Sequence, residues 1–313
     1  MTISGIIAID KPSGISSAAV VAKIKRKLGV KKVGHTGTLD PFATGLMLCG
    51  VNKGTKLSQF FLGSSKSYVA QIALGVNTDT YDYTGQITDR ASFTLLSQIT
   101  DNQIVQTIQK FKGEQMQTPP IYSALKHNGK PLYQLAREGK PVQKPPRKIE
   151  IHSIELQEIK RGEQRELNRF SDQLSVTLLI DCSSGTYIRS LAYDIGKQLG
   201  CGGTLLSLRR VKTCRFSIDD ATPLDEFEAL SQDEAFSLII PMNRAISFMP
   251  EIKVDDFMVK SIGFGRPFSL GSLEEKSLSE SLFKVIDKTG ELVAIVKYDK
   301  ALCKYDYCCV FVN

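Results

Sequence analysis

Metal-ligand spacing is missing from this chain of 313 residues. Its only histidines are His35, His127 and His152, and none of its seven cysteines forms a C-x-x-C pair. Cys308 and Cys309 are adjacent, which suits neither an ordinary disulfide nor zinc spacing. Reduced, packed thiols and no bound metal are expected. Long apolar runs are missing too: none approaches the roughly 20 residues of a membrane helix. The apolar stretch at residues 4–9 is too short for a signal peptide, has no basic flank before it and runs into Asp10. A cytoplasmic protein with no membrane contact is expected. Phosphate-loop spacing is also wanting, since "GVNKGTK" and "LGSSKS" miss the G-x-x-x-x-G-K-[ST] pattern. "NTDTYDYTG" places Asp82 where a calcium loop needs glycine. With no G-x-S-x-G elbow and no Cys/His signature, a nucleophilic triad has no support.

What is there begins with charge. Hydrophobic residues make up 42% and charged residues 23% of the chain, as in an ordinary globular protein, and the formal net charge is +7. The excess is concentrated. Residues 1–70 hold ten Lys/Arg against Asp10 and Asp40 alone, and residues 119–148 hold seven against Glu138 alone. Two such basic segments, interleaved with aromatics and glycines, point to a polyanion-binding surface and favour nucleic acid.

The length allows about two domains. "SSAAVVAKIKRKLG" predicts a helix with Ser16 or Ser17 as N-cap, Gly29 as terminator and a basic outer face. Residues 101–113 predict a second helix, and "IRSLAYDIGKQLG" a third that stops at Gly200. "SYVAQIALG", "KIEIHSIELQEI" and "QLSVTLLIDC" alternate as strands. Strands and helices without βαβ regularity predict an α+β fold with a mixed or antiparallel sheet. A composition shift after Pro241 and Pro250, and a hairpin across "DKTG", divide the chain into residues 1–248 and a small β-rich unit, 249–313. That unit carries nine basic against ten acidic residues, so the basic surface belongs to the larger one. A chain cut near Phe248 is then expected, if it folds, to keep activity.

In "VGHTGTLDPFATGLMLCG" a single acid, Asp40, stands before a proline and ahead of an apolar run, which places it at the lip of a buried segment. Paired carboxylates for glycoside chemistry stay open, since Asp79, Asp82 and Asp181 could approach it in space.

These residues carry a resemblance. "GHTGTLDPFATGLML" is similar to the catalytic motif of the TruB family, the bacterial tRNA pseudouridine-55 synthases. "DKPSGISS", "KSYVAQIALGVNTDTYDYTG", "GEQMQTPPIYSALKHNGKPLYQLAREG", "CSSGTYIRSLAYDIGKQLGCGG" and "LRRVKTCRFSI" continue the likeness in the family's order. The resemblance implies a pseudouridine-synthase-like catalytic domain and a terminal PUA-like RNA-binding domain. It implies an enzyme that isomerises one uridine in the T loop of tRNA, with the T-arm stem-loop as partner, without metal or organic cofactor, as a monomer. Asp40 would be the catalytic carboxylate, by attack on the sugar, attack on the base or removal of a ribose proton. The target must be flipped out of its loop. His35 would occupy the vacated region, and Tyr68 would stack on the flipped base. Arg189 would pair with Asp40, holding it ionised and oriented. Tyr187 and Leu208 would line the uracil pocket, Lys11 and Pro12 would support its wall, and Lys126, Lys130, Arg209 and Arg210 would meet phosphates. On composition alone, His35 reads as a loop hydrogen-bonder and Tyr68 as a core residue of a strand. A non-catalytic RNA-binding or tRNA-folding protein is the alternative, and a nucleoside glycosidase with a second acid beside Asp40 is a more distant one.

Overall fold

The computed structural model describes residues 3–162, 170, 174–268, 282–299, 301–302 and 304–312. Gln173 of the expected strand "QLSVTLLIDC", Cys303 among the expected thiols, and Ser269, Leu270 and Asn313 of the expected β-rich unit lie outside the described residues.

Alternating and continuous apolar runs build one long sheet. In chain order its strands include β1 (Gly5–Lys11), β2 (Val33–His35), β3 (Thr44–Val51), β4 (Lys66–Leu74), β5 (Gly113–Gln117), β6 (Arg147–Lys160), β7 (Leu174–Cys182), β8 (Gly203–Thr213) and β9 (Thr222–Pro223). They lie in the order β9-β1-β3-β8-β4-β7-β6-β5, with β2 alongside β3. Most pairs are antiparallel, but β1 runs parallel to β9 and β3 parallel to β8, so the sheet is mixed. The expected α+β class holds. The apolar run after Asp40 becomes β3, whose residues from Gly45 to Val51 are all buried.

Three helices cover the sheet near the site. Helix α1 (Ser17–Leu28) starts at Ser16, whose hydroxyl accepts from the Ala19 N–H, and stops at Gly29 at φ 62°. Its outer face is less basic than expected. Lys23 pairs with Glu228 at 2.6 Å, and Lys27 donates to the Glu228 carbonyl. Helix α2 (Asp101–Gln109) opens with a Thr100–Gln103 capping box and ends four residues before the expected Gly113, because Gly113 at φ 100° turns the chain into β5. Helix α3 (Ile188–Leu199) buries Ile188, Leu191 and Ile195 and stops at Gly200, as its spacing predicts.

The C-terminal strands β10 (Glu251–Lys253), β11 (Leu282–Ile286), β12 (Leu292–Asp299) and β13 (Lys304–Val310) form a second sheet in that order. The hairpin across "DKTG" joins β11 and β12, and the Asp287 carboxylate accepts from the Thr289 and Glu291 N–H groups. The two sheets share an apolar cluster. Ile6, Leu46, Leu48 and Phe61 pack together with Ile286, Leu292, Ile295 and Phe311.

Candidate active site

Asp40 lies in the loop between β2 and β3, and the segment that opens the chain fixes that loop. Ser17, the first residue of α1, accepts from the Leu39 N–H at 2.8 Å and donates to its carbonyl at 2.9 Å. Ser13 donates to the Phe42 carbonyl, and the Gly14 N–H to that of Pro41. Lys11, wholly buried, donates to the carbonyls of Pro12, Ile15 and Pro41. Burial lowers its pKa to about 8, against the opposing pull of Asp40 and with help from Arg210. "DKPSGISS" is thus a clasp for the Asp40 loop. Lys11 and exposed Pro12 line neither of the hollows described below; Lys11 meets the Asp40 loop from behind, through the Pro41 carbonyl, and Pro12 makes no direct contact with a bound base there.

Arg189, in the first turn of α3, faces Asp40 along its side. Its Nε stands 2.9 Å from Asp40 Oδ2, and its Nη2 donates to Oδ1 at 3.3 Å. The guanidinium is buried and also donates to the carbonyls of Thr80 (3.2 Å) and Tyr122 (2.8 Å). Behind it stands Asp82, 4% exposed, with Oδ2 3.6 Å from Arg189 Nη1. Asp82 Oδ1 accepts from the hydroxyls of Thr80 and Thr84 and from the Thr84 N–H. The result is a carboxylate–guanidinium–carboxylate row with one end open. A third of the Asp40 side chain is exposed. Burial raises its pKa above the ordinary value, Arg189 opposes the rise, and the charge of Asp82 adds to it. Arg189 therefore orients Asp40 and limits the cost of its charge without reversing the shift. Asp79 and Asp181 take no part: Asp79 caps Gln86, and Asp181 accepts from Ser67.

Asp40 and Arg189 both line each of two hollows. One, of about 320 Å³, gathers Tyr68, Tyr187, Leu208, Lys66, Arg147 and Arg210 around Asp40. The other, of about 550 Å³, lies towards His35, Asp82, Tyr122 and Tyr133. Tyr68, on β4, is 7% exposed and Leu208, on β8, equally so; burial raises the Tyr68 phenol's pKa while Arg210 opposes it. Tyr187 precedes α3, and Gln117 grips its backbone by accepting from its N–H at 2.8 Å and donating to its carbonyl at 3.0 Å. His35 Nδ1 accepts from the Gly37 N–H at 3.3 Å, and burial, aided by Arg210, lowers its pKa, so the ring is neutral at pH 7.

The expected phosphate contacts divide. Arg209 is spent on Asp10, with contacts at 3.1 and 2.6 Å, and Lys130 on Glu138. Arg210 is 2% exposed and donates to the carbonyls of Leu46 and Gly37, so it faces the cleft instead of the outer surface. Lys126 alone of the four is exposed with no such partner among the described residues.

One partly exposed acid, paired side-on with a buried arginine beside a cation-lined hollow on a long mixed sheet, is an arrangement suited to single-carboxylate chemistry. A chain in a solved Cbf5–Nop10–Gar1 complex superposes on 98% of this chain and 85% of its own length, with a TM-score of 0.71 at 25% identity. A chain from an H/ACA RNP bound to a substrate RNA shares the fold, with a TM-score of 0.69 at 23% identity over 99% of this chain and 85% of that one. Residues 25–188 match the N-terminal domain of the TruB family pseudouridylate synthases, and residues 189–247 match the tRNA pseudouridylate synthase B C-terminal domain. The tRNA pseudouridine synthase B of Aquifex aeolicus is 38% identical over 88% of this chain and 90% of that protein. That of Francisella philomiragia is 37% identical over 96% and 93%. The chain belongs to the TruB family of pseudouridylate synthases.

Proposed function

We propose that this protein is a tRNA pseudouridine synthase that isomerises uridine-55 in the T loop, with Asp40 as the carboxylate at the reacting nucleotide. The observation that carries the reading is the side-on Asp40–Arg189 pair in the lining of a hollow that also holds Tyr68, Tyr187 and Leu208. The reaction breaks the bond between C1′ and N1, turns the uracil and forms a bond from C1′ to C5; the hydrogen on C5 leaves and N1 gains one. The base must reach the hollow, so the nucleotide is flipped. Tyr68 stacks on it, Tyr187 and Leu208 bound its edges, and His35 fills the place it leaves. Asp82 acts on Asp40 through Arg189. Its own carboxylate is buried and committed to the turn at residues 80–84, which disfavours a two-acid glycosidase. A protein that only binds RNA has no use for an oriented carboxylate beside phosphates, where it repels.

The enzyme acts as a monomer in the cytoplasm, without metal or organic cofactor. No helix among the described residues is long and apolar enough to cross a membrane.

The test is release of tritium from tRNA labelled at uracil C5, with the modified position mapped by sequencing. Asp40→Asn is expected to lower single-turnover release by about 10²–10⁴-fold or more, with tRNA affinity within a few-fold of wild type. Turnover within tenfold of wild type would remove Asp40 from the chemistry.

A further inference from the structure

The first hollow holds four cations, Lys66, Arg147, Arg189 and Arg210. Three are committed to the protein. Arg189 faces Asp40 and Asp82; Arg210 and Lys66 are buried and donate to backbone carbonyls, Lys66 to those of Phe61, Leu62 and Ser64. Arg147 is different. It is the first residue of β6, and no carboxylate among the described residues lies within ion-pair distance of it; the neighbouring Lys148 takes Glu114 at 2.6 Å. Its guanidinium lies over the Tyr187 ring at 4.9 Å, and Nη2 donates to the Gly185 carbonyl. Its Nε is shielded from solvent and has no hydrogen-bond partner.

This is a guanidinium aimed by two contacts, in the lining of the hollow that holds Asp40, with no carboxylate partner among the described residues and one N–H unpaired. An unpartnered, shielded N–H is costly, so its presence points to a ligand atom that completes it. Uracil and ribose are neutral. The only anion that a nucleotide brings beside the hollow is its phosphate, and a guanidinium fork fits phosphate oxygens in a paired geometry that an ammonium does not. We propose that Arg147 clamps a phosphate flanking the target nucleotide once that nucleotide is flipped, with Tyr187 as the platform that holds the clamp in place. Tyr187 thereby serves the hollow twice, as a wall and as the rest for this arginine. The Gln117 grip on the Tyr187 backbone, across the strand pair Arg147–Gln117, fixes both. The inference rests on the reading of the protein as a tRNA uridine isomerase.

The experiment is a cycle between protein and substrate. T-arm stem-loops are made with a neutral methylphosphonate in place of the phosphate 5′ of the target uridine, or in place of the one 3′ of it. Each is compared with the unmodified stem-loop using wild-type protein, Arg147→Ala and Arg147→Lys. On the unmodified substrate Arg147→Ala is expected to lower the single-turnover rate about 10- to 100-fold, with Kd changed less than threefold, because the contact forms only with the flipped nucleotide. Arg147→Lys recovers part of the loss. At one of the two positions, the methylphosphonate slows wild type by a similar factor and slows Arg147→Ala no further. Independent, multiplying losses at both positions, or an Arg147→Ala enzyme as fast as wild type, would overturn the clamp. Wild-type activity on the unmodified stem-loop reports separately on the proposed function. The cycle compares substrates on the same variant, so a general loss of structure in Arg147→Ala multiplies every rate alike and does not imitate the expected pattern.

Discussion

Asp40 stands where burial resists its charge, and this makes its protonation readable. Ionised Asp40 is the working form in each chemistry open to it, so the rate falls as pH drops through its pKa. Burial has moved that pKa above the ordinary 3.8, and Asp82 adds to the rise. In single-turnover measurements the acid limb is expected to centre above 3.8. In Asp82→Asn it is expected to move to lower pH, because the neighbouring negative charge that favours the protonated acid is gone. A limb that stays or moves upward in that variant would show that Asp82 does not act on Asp40 electrostatically. At this scale the sequence was informative about Asp40, since a lone acid before a proline and an apolar run is unusual. It offered Asp82 only as one of three acids that could approach Asp40, and gave no sign of its pairing with Arg189. "NTDTYDYTG" reads as a turn, and only the fold brings that turn behind Arg189, some hundred residues further along. Ser17 was legible as a candidate helix cap but not as the residue that holds Leu39, because that bond spans two elements.

The elements near the site were legible where their stop signals were local. Gly29 and Gly200 end α1 and α3 in left-handed conformations, as their positions after apolar spacing predict. Gly113 misled, because a glycine that ends a helix and one that starts a strand look alike in sequence. The pairing of Lys23 on α1 was hidden as well: Glu228 comes from the helix at Leu224–Ala229, about two hundred residues away. One glycine decides the geometry of the site. Gly45, at φ 106°, opens β3 where it pairs with β8, and a Cβ there would stand 2.3 Å from the Arg210 carbonyl oxygen. Gly45→Ala must part the two strands five residues after Asp40. A loss of more than about 1 kcal/mol in stability is expected from the backbone conformation alone, read by urea unfolding, together with a lower kcat. An unchanged midpoint and rate would mean that the strands yield freely there.

Across the whole molecule, the line drawn at residue 248 from composition cuts through a shared apolar cluster. Removing everything after Phe248 strips Ile286, Leu292, Ile295 and Phe311 from Ile6, Leu46 and Leu48. At about 1.5–3 kcal/mol for each buried side chain, the loss of four approaches the whole stability of an ordinary domain, about 5–15 kcal/mol. The truncated chain is expected to be unfolded by circular dichroism and inactive on a T-arm stem-loop, which replaces the expectation drawn from composition. A folded, active truncation would show that the cluster is dispensable. Composition could mark the change of character after Pro250, but apolar faces on both sides of the boundary look the same whether they pack apart or together. Lysines strengthen the join: Lys53 donates to the Phe311 carbonyl at 2.6 Å and Lys56 to that of Val310 at 2.7 Å.

That join also sets a clock. Ile6 and Phe311 lie in one cluster with Leu46 and Leu48, the strand residues that follow Asp40. A ribosome adding about 5–20 residues each second needs on the order of 15–60 seconds to travel from the first of these residues to the last. For that time the cluster on one side of β1 and β3 has only the cover that earlier residues such as Phe61, Phe216 and Met242 supply. Contacts this distant along the chain also form slowly. A nascent chain therefore cannot complete the cluster beneath its Asp40 loop until its last strand has been made.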